Sequence, residues 1–278
     1  MLRDRVRTST YESFILSNPA LFKGKTVLDV GCGTGILSMF AAKSGARKVY
    51  AVDASNVAYK AIRNVRDNGF GDVVQVIKGK MEEIELPEKV DVIVSEWMGY
   101  FLLYESMLDS VLYAKRFLNP GGVFAPSQTT ILLALHEAST LKERTEFWND
   151  VYGFNMPSMA EGIEEEALME VVPAAELASG PITLQAFVSQ TATVESVDFE
   201  TEFELVATRN CTIRAFVGYF DTYFTDDNRL VQSSADLKEH ERWFTTGPEG
   251  ESTHWKQTMF PLKAPEDVKA GLLSSLPS

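Results

Sequence analysis

Val27-Leu28-Asp29-Val30-Gly31-Cys32-Gly33-Thr34-Gly35 runs from an apolar stretch into three glycines at alternate positions, and residues 36–44 that follow are apolar at helical spacing. The pattern predicts a strand, a tight turn and a helix. Glycines at such a turn let backbone approach a ligand closely. A dinucleotide fingerprint places its third glycine three residues after the second, where the helix N-terminus holds a pyrophosphate; here it comes after two. With Asp29 at the strand end, the spacing suits a ligand without pyrophosphate, whose amino-acid portion crosses the turn, better than a nicotinamide dinucleotide. A turn that serves only the fold is the competing reading, but three glycines would weaken a purely structural element.

Working outward, short β-branched runs at 26–30, 49–53, 73–78, 90–95 and 122–125 alternate with amphipathic stretches at 36–44, 56–68 and 107–118. That alternation predicts an α/β unit, a parallel sheet covered by helices, over residues 1–126. After Pro126 the pattern changes. Segments 129–135, 199–207, 212–220 and 256–262 alternate in the manner of antiparallel strands, around a helical, acidic insert at about 141–178. Residues 127–278 therefore form a second unit, with a polar, mobile loop at 225–252.

Composition narrows the function. At 278 residues and 45% hydrophobic content the chain buries a substantial core. It has no run of about 18 apolar residues, and Arg3, Asp4, Arg5, Arg7 and Glu12 leave no signal-peptide core, which argues against a membrane. Cys32 and Cys211 lie far apart in apolar surroundings and read as reduced thiols of a cytosolic or nuclear protein, with no metal site. The net charge of -13 argues against direct nucleic-acid binding and favours a cationic partner.

Three further places carry chemistry. Asp53 ends the second strand, where a carboxylate can accept both ribose hydroxyl protons or cap the next helix. Met81 and Glu82 follow the third strand, where an apolar side chain and a neighbouring acid suit an adenine ring, although Glu82 also sits in an ordinary acidic run. After the fourth strand, Ser95-Glu96-Trp97-Met98-Gly99-Tyr100-Phe101-Leu102-Leu103-Tyr104-Glu105-Ser106-Met107 places two carboxylates in an apolar, aromatic loop. A buried like-charged pair is costly without a cation. A guanidinium resolves this, because its planar fork bonds carboxylates and stacks on aromatic rings. Internal lysines or arginines facing the pair would do so too.

On these residues the chain resembles a type I protein arginine N-methyltransferase. The likeness rests on MLRDRVRT at 1–8, VLDVGCGTGILSMFAAKSGA at 27–46, SEWMGYFLLYESMLDSVLYAK at 95–115, FWNDVYGF at 147–154 and THWKQ at 253–257. Asp53, where the commonest relatives carry Glu, leans toward the protein arginine N-methyltransferase 3 branch. The resemblance implies a Rossmann-like S-adenosylmethionine-binding domain followed by an antiparallel β-barrel with a helical dimerisation arm at about 147–178. It implies that Arg7 pairs with the methionine carboxylate, that Asp29, Gly31 and Gly33 line the turn, and that Asp53, Met81 and Glu82 hold the adenosine.

Glu96 and Glu105 would grip the acceptor arginine between Tyr100 and Met107, with the His254–Asp4 ion pair behind them and Trp255 and Met1 beside the substrate. Met1 and Met107 occupy positions associated with asymmetric dimethylation. Implied partners are arginine-rich or glycine- and arginine-rich proteins, histones among them, and a second copy of the chain. Family members also carry a preceding helix and further barrel strands, so the sequence reads as short at both ends, which would leave sheet edges unpaired. A catalytically impaired, cofactor-binding or dimer-forming fragment is the alternative implied, and a small-molecule methyltransferase is disfavoured by the paired glutamates.

Overall fold

In the computed structural model, residues 2–271 and the backbone of 273–274 are described. Met1 and the rest of the closing segment lie outside them. The apolar runs become β1 (Thr26–Val30), β2 (Lys48–Asp53), β3 (Val74–Lys78), β4 (Val90–Ser95) and β5 (Leu118–Ala125), all parallel, in the order β3-β2-β1-β4-β5. Every residue of β1 is buried, as expected of a central strand covered on both faces. Covering helices are α3 (Ile36–Lys43), α4 (Ala58–Asp67) and α5 (Leu108–Ala114). Strand order reverses beside β1, so the C-terminal ends of β1, β2 and β4 share one edge at the crevice where open α/β sheets bind ligands.

Ahead of the sheet stand α1 (Arg5–Ser17) and α2 (Pro19–Phe22), which the hydrophobic pattern did not predict. Helix α1 starts where the Asp4 carboxylate accepts the Arg7 N–H at 3.0 Å, an N-cap. It buries Tyr11, Phe14 and Ile15, whose i, i+3, i+4 spacing was the available signal.

The second sheet is antiparallel. It contains β6 (Gln128–His136), β7 (Leu168–Glu170), β8 (Ile182–Val188), β10 (Cys211–Phe224), β11 (Arg242–Thr245) and β12 (Gln257–Val268), ordered β7-β12-β10-β6-β8 with β11 on β10. A separate pair joins β9 (Leu205–Val206) to β13 (Leu273–Ser274). The change from parallel to antiparallel falls between Ala125 and Gln128, yet one apolar cluster crosses it, with Phe224 edge-on to Tyr11 at 4.8 Å. Helix α1 is thus wedged between the sheets.

Three expectations are corrected. The strand predicted over 199–207 is confined to Leu205–Val206, because Phe199 and Phe203 turn inward onto Phe187 and Phe216 instead of pairing in a ladder. The helical insert holds one α-helix among the described residues, α6 (Ser139–Glu146); beyond it Pro157 and Pro173 leave single 3₁₀ turns. The loop at 225–252 is anchored. Arg229 bonds the buried Glu241 carboxylate at 2.6 Å, the Gln128 amide bonds Val231 backbone in both directions at 2.9 and 2.7 Å, and β11 pairs with β10.

Candidate functional site

Beyond β1 the chain turns with Gly31 at φ +72°, its N–H and that of Cys32 both donated to the Val52 carbonyl of β2. A Cβ on Gly31 would come within 2.1 Å of Met107 Cε, so a side chain here would displace the Met107 methyl, and the positive φ favours glycine. Asp53 braces the turn. Its Oδ2 accepts the Gly33 N–H at 2.8 Å and its Oδ1 accepts the Ser55 N–H and hydroxyl at 2.8 and 2.6 Å. The alternative role as a helix N-cap does not occur, since Val57 occupies that position.

Beside the turn lies a cleft of about 310 Å³, walled by Val30, Val52, Met81 and Met107 and rimmed by Asp53 and Glu82. Met81 is buried, whereas Glu82 is exposed and accepts the Ser110 hydroxyl at 2.6 Å. Met107, expected to wall the acceptor, lies against Gly31 on this side. Asp29 is fully enclosed under the turn. Its Oδ2 accepts the Ser38 hydroxyl at 2.6 Å, its Oδ1 has no partner among the described residues, and burial pushes its carboxyl up to about 6. A slot with apolar walls, carboxylate rims and an orphaned carboxylate oxygen below fits a ligand with a flat base, a ribose and a cationic group.

At the end of β4 the structure separates the two glutamates that sequence reading took as a buried pair. Glu96 is 6% exposed, while Glu105 is exposed on the loop. The Gly99–Leu102 bridge folds the loop back until a Cβ at Gly99 would meet Glu105 N at 2.8 Å, and the Glu105 charge adds to the upward shift of the Glu96 carboxyl. Arg7, expected to meet the methionine carboxylate, is engaged with Glu96. Its guanidinium, 5% exposed, bonds Glu96 Oε2 through Nε and Nη2 at 3.0 and 2.7 Å. The reading in which an internal arginine faces a loop glutamate therefore holds for Glu96. Burial raises the Glu96 pKa above the ordinary carboxylate range, and Arg7 opposes the shift.

His254 Nδ1 and Asp4 Oδ2 lie 2.6 Å apart, and the His254 N–H donates to the same oxygen at 2.8 Å. Desolvation alone would raise Asp4, but hydrogen bonds from His254 and the Arg7 N–H outweigh it and hold the carboxyl low. Asp4 therefore caps α1 through the Arg7 N–H and fixes His254. Trp255 does not reach the surface. At 3% exposure it donates Nε1–H to the Met98 carbonyl at 2.8 Å and stacks on Phe244, holding the acceptor loop from behind. Tyr11, which sequence reading passed over, does the same through a 2.8 Å bond to the Ser95 carbonyl. Tyr100 stays at the rim, 36% exposed.

Known proteins bear on this geometry. Residues 127–275 match the arginine methyltransferase oligomerization subdomain, and residues 11–139 match the ribosomal protein L11 methyltransferase family. The chain is 47% identical over 266 residues to the ribosomal protein arginine N-methyltransferase rmt3 of Schizosaccharomyces pombe, covering 95% of itself but 49% of that protein. It is 46% identical to protein arginine N-methyltransferase 1 of Chlamydomonas reinhardtii, covering 95% of itself and 74% of the relative. Among solved structures it is similar to the Trypanosoma brucei PRMT1 enzyme-prozyme heterotetrameric complex with AdoHcy, at TM-score 0.88 and 40% identity, covering 98% of this chain and 84% of that one. The Arabidopsis thaliana protein arginine methyltransferase 10 aligns at TM-score 0.81 and 34% identity, covering 97% and 83%. The chain belongs to the protein arginine N-methyltransferase family.

Proposed function

We propose that this chain methylates the guanidinium of arginine in proteins, giving monomethyl and asymmetric dimethyl products, with S-adenosylmethionine as donor. The observation that carries the reading is Glu96: a buried carboxylate already gripped by one guanidinium fork, with Glu105 beside it. Both Arg7 bonds end on Oε2, and among the described residues no hydrogen bond reaches Oε1. Substrate arginine binds across Oε1 of Glu96 and the Glu105 carboxylate.

Free arginine is a poor nucleophile, because its pKa exceeds about 12 and its lone pairs are delocalised. Two carboxylates draw positive charge toward one nitrogen and leave another to attack, with positioning supplying much of the rate. Bound in the cleft, the cofactor supplies an electrophilic sulfonium methyl. Asp53 holds its ribose, Met81 and Glu82 flank its base, and Asp29 with the Gly31 and Gly33 backbone faces its amino-acid end. Arg7 keeps Glu96 ionised and oriented, and Met107 bounds the slot on the methyl side. The guanidinium proton leaves to Glu105 or to the His254–Asp4 pair.

Glycine- and arginine-rich proteins, histones included, are the substrates, in the cytoplasm or nucleus. The acidic net charge supports cationic partners. No helix among the described residues is long and apolar enough to cross a membrane. The chain works as a homodimer through the segment after α6, where Phe147, Tyr152 and Phe154 are 57%, 97% and 69% exposed and need cover. The second reading, a cofactor-binding but impaired fragment, is favoured by the Arg7 grip on Glu96. Mass spectrometry of an arginine-rich peptide incubated with chain and donor separates the two: methylarginine supports the enzyme, and an unmodified peptide with retained cofactor binding supports the fragment.

A further inference from the structure

Gly218 sits inside β10, paired on one side with Leu133 of β6 and on the other with Thr258 of β12. A glycine in a strand interior weakens it and marks a place where something else comes close. Its φ lies outside the left-handed region, so conformation does not call for glycine here. Space does: a Cβ on Gly218 would come within 2.2 Å of Phe101 Cε2 and 2.7 Å of Phe101 Cδ2, and its third neighbour, at 3.1 Å, is Cζ of the same ring. Phe260 of β12 stands edge-on to that ring, with centroids 4.9 Å apart at 69°. Phe101 belongs to the acceptor loop between β4 and α5, so the antiparallel sheet grips a loop of the parallel one at this point.

The loop has backbone that needs holding. Phe101, Leu102 and Ser106 have φ of +45°, +69° and +54°, three of the seven non-glycine residues with positive φ among those described. Such backbone is costly under bulky side chains and persists where the surroundings fix it. The anchors from Tyr11 and Trp255 act before this stretch, on the Ser95 and Met98 carbonyls. Past Gly99, Phe101 in its notch and the fully buried Leu102 take over. Contacts then continue to Glu105: the Leu102 N–H donates to the Gly99 carbonyl at 3.0 Å, the Leu102 carbonyl accepts the Gly99 N–H at 2.9 Å, and a Cβ on Gly99 would meet Glu105 Cγ at 2.9 Å.

We propose that Phe101 and Gly218 are positioning residues of the acceptor site, a ring and a notch by which the antiparallel sheet holds the strained half of the loop and with it Glu105. The inference rests on the proposed function for what Glu105 does, and adds which part of the fold sets where it stands. Glu96 and the cofactor turn are held by other contacts, from Arg7 and from Asp53. Loss of the ring should therefore reach Glu105 and spare the cofactor.

Two substitutions attack the contact from opposite sides. Gly218→Ala places a methyl where the ring lies, and Phe101→Ala withdraws the ring without touching the sheet. Hydrogen exchange on the whole chain, followed by NMR, is expected to accelerate about tenfold or more at the Leu102, Leu103 and Tyr104 amides in either variant, while β1 and the Gly33 amide keep their protection. S-adenosylmethionine affinity by calorimetry should stay unchanged. Single-turnover methyl transfer to a glycine- and arginine-rich peptide should fall about tenfold to a hundredfold, the scale of an ångström-sized misplacement. Because ring and notch act through each other, Gly218→Ala/Phe101→Ala should lose no more than Phe101→Ala alone. Because both act through Glu105, Phe101→Ala should cost little further transfer in a Glu105→Gln background, a result that general loosening of the fold would not give.

Exchange unchanged in both variants, or accelerated equally in β1 and β10, overturns the proposal, as does a full further loss on top of Glu105→Gln. Should the alanine variants melt early, Phe101→Leu, which keeps apolar volume without the ring, decides. Selective loosening in a chain that transfers no methyl, or whose Glu105→Gln variant is fully active, upholds the anchor and defeats the proposed function; collapse in Glu105→Gln with no loosening in the other variants does the reverse.

Discussion

Arg7→Met isolates the buried ion pair on which the site is built. Methionine keeps an unbranched, apolar stem of similar reach in the wall of α1 but removes the charge, leaving Glu96 without its cation. The two side chains are 6% and 3% exposed and the shorter bond is 2.7 Å, so solvent screens little of the interaction. Breaking such a pair from one side costs about 3–5 kcal/mol, most of it the stranded charge. The stranded carboxylate can escape by taking a proton, which gives the cost a pH signature. Glu96 already titrates above its unfolded value, so its contribution to stability is present below the unfolded pKa and is lost as pH rises through the folded one. Removing Arg7 raises the folded pKa further. The penalty should therefore be largest in neutral and alkaline solution and shrink as pH falls toward the ordinary glutamate range. Urea unfolding across that range, with Arg7→Met/Glu96→Gln as partner, is the assay. The double variant should recover much of the loss. A penalty independent of pH, or no recovery, would refute the argument.

Other outcomes follow from the cleft. Asp53→Ala should weaken S-adenosylmethionine by about 1–3 kcal/mol by calorimetry, the range for hydrogen bonds to a charged group, and unchanged affinity in a folded variant would remove Asp53 from the site. Gly31→Ala should weaken cofactor binding, since φ is +72° and the added methyl would push the Met107 tip into the cleft; a variant that binds normally would show that this turn is not the binding element. Asp4→Asn removes a carboxyl held low by His254 and Arg7, whose stabilisation exists above its unfolded pKa and disappears as pH falls through the folded one. Its destabilisation on chemical unfolding should therefore be greatest near neutrality and vanish in acid.

The parallel half of the fold was legible because buried β-branched runs are continuous and bounded: β1 and β4 have the predicted limits. Helix α1 was missed because its exposed face is polar and its buried face is Tyr11, Phe14 and Ile15 with the charged Arg7. The antiparallel half misled where acids alternate with phenylalanines, a pattern that reads as a strand but packs as an irregular segment around Phe199 and Phe203. At the site, residue types were legible and pairings were not. Nothing local in the sequence says that Arg7, 89 positions away, closes on Glu96, or that Met107 leans over Gly31. Such contacts are set by where α1 and α5 cross the sheet edge. Trp255 illustrates the same limit: its motif marked the place, but only the bond to the Met98 carbonyl shows that it supports the loop from behind.

Glu105 tests the central claim most directly, because it is exposed, touches no assigned cofactor residue and can be changed without opening the core. Single-turnover methyl transfer by wild type and Glu105→Gln, on an arginine-rich peptide and its lysine-substituted copy, is measured alongside cofactor binding. The account predicts transfer to arginine only, its collapse in Glu105→Gln, and unchanged cofactor affinity. Equal transfer to both peptides, or full activity without the Glu105 charge, would contradict it.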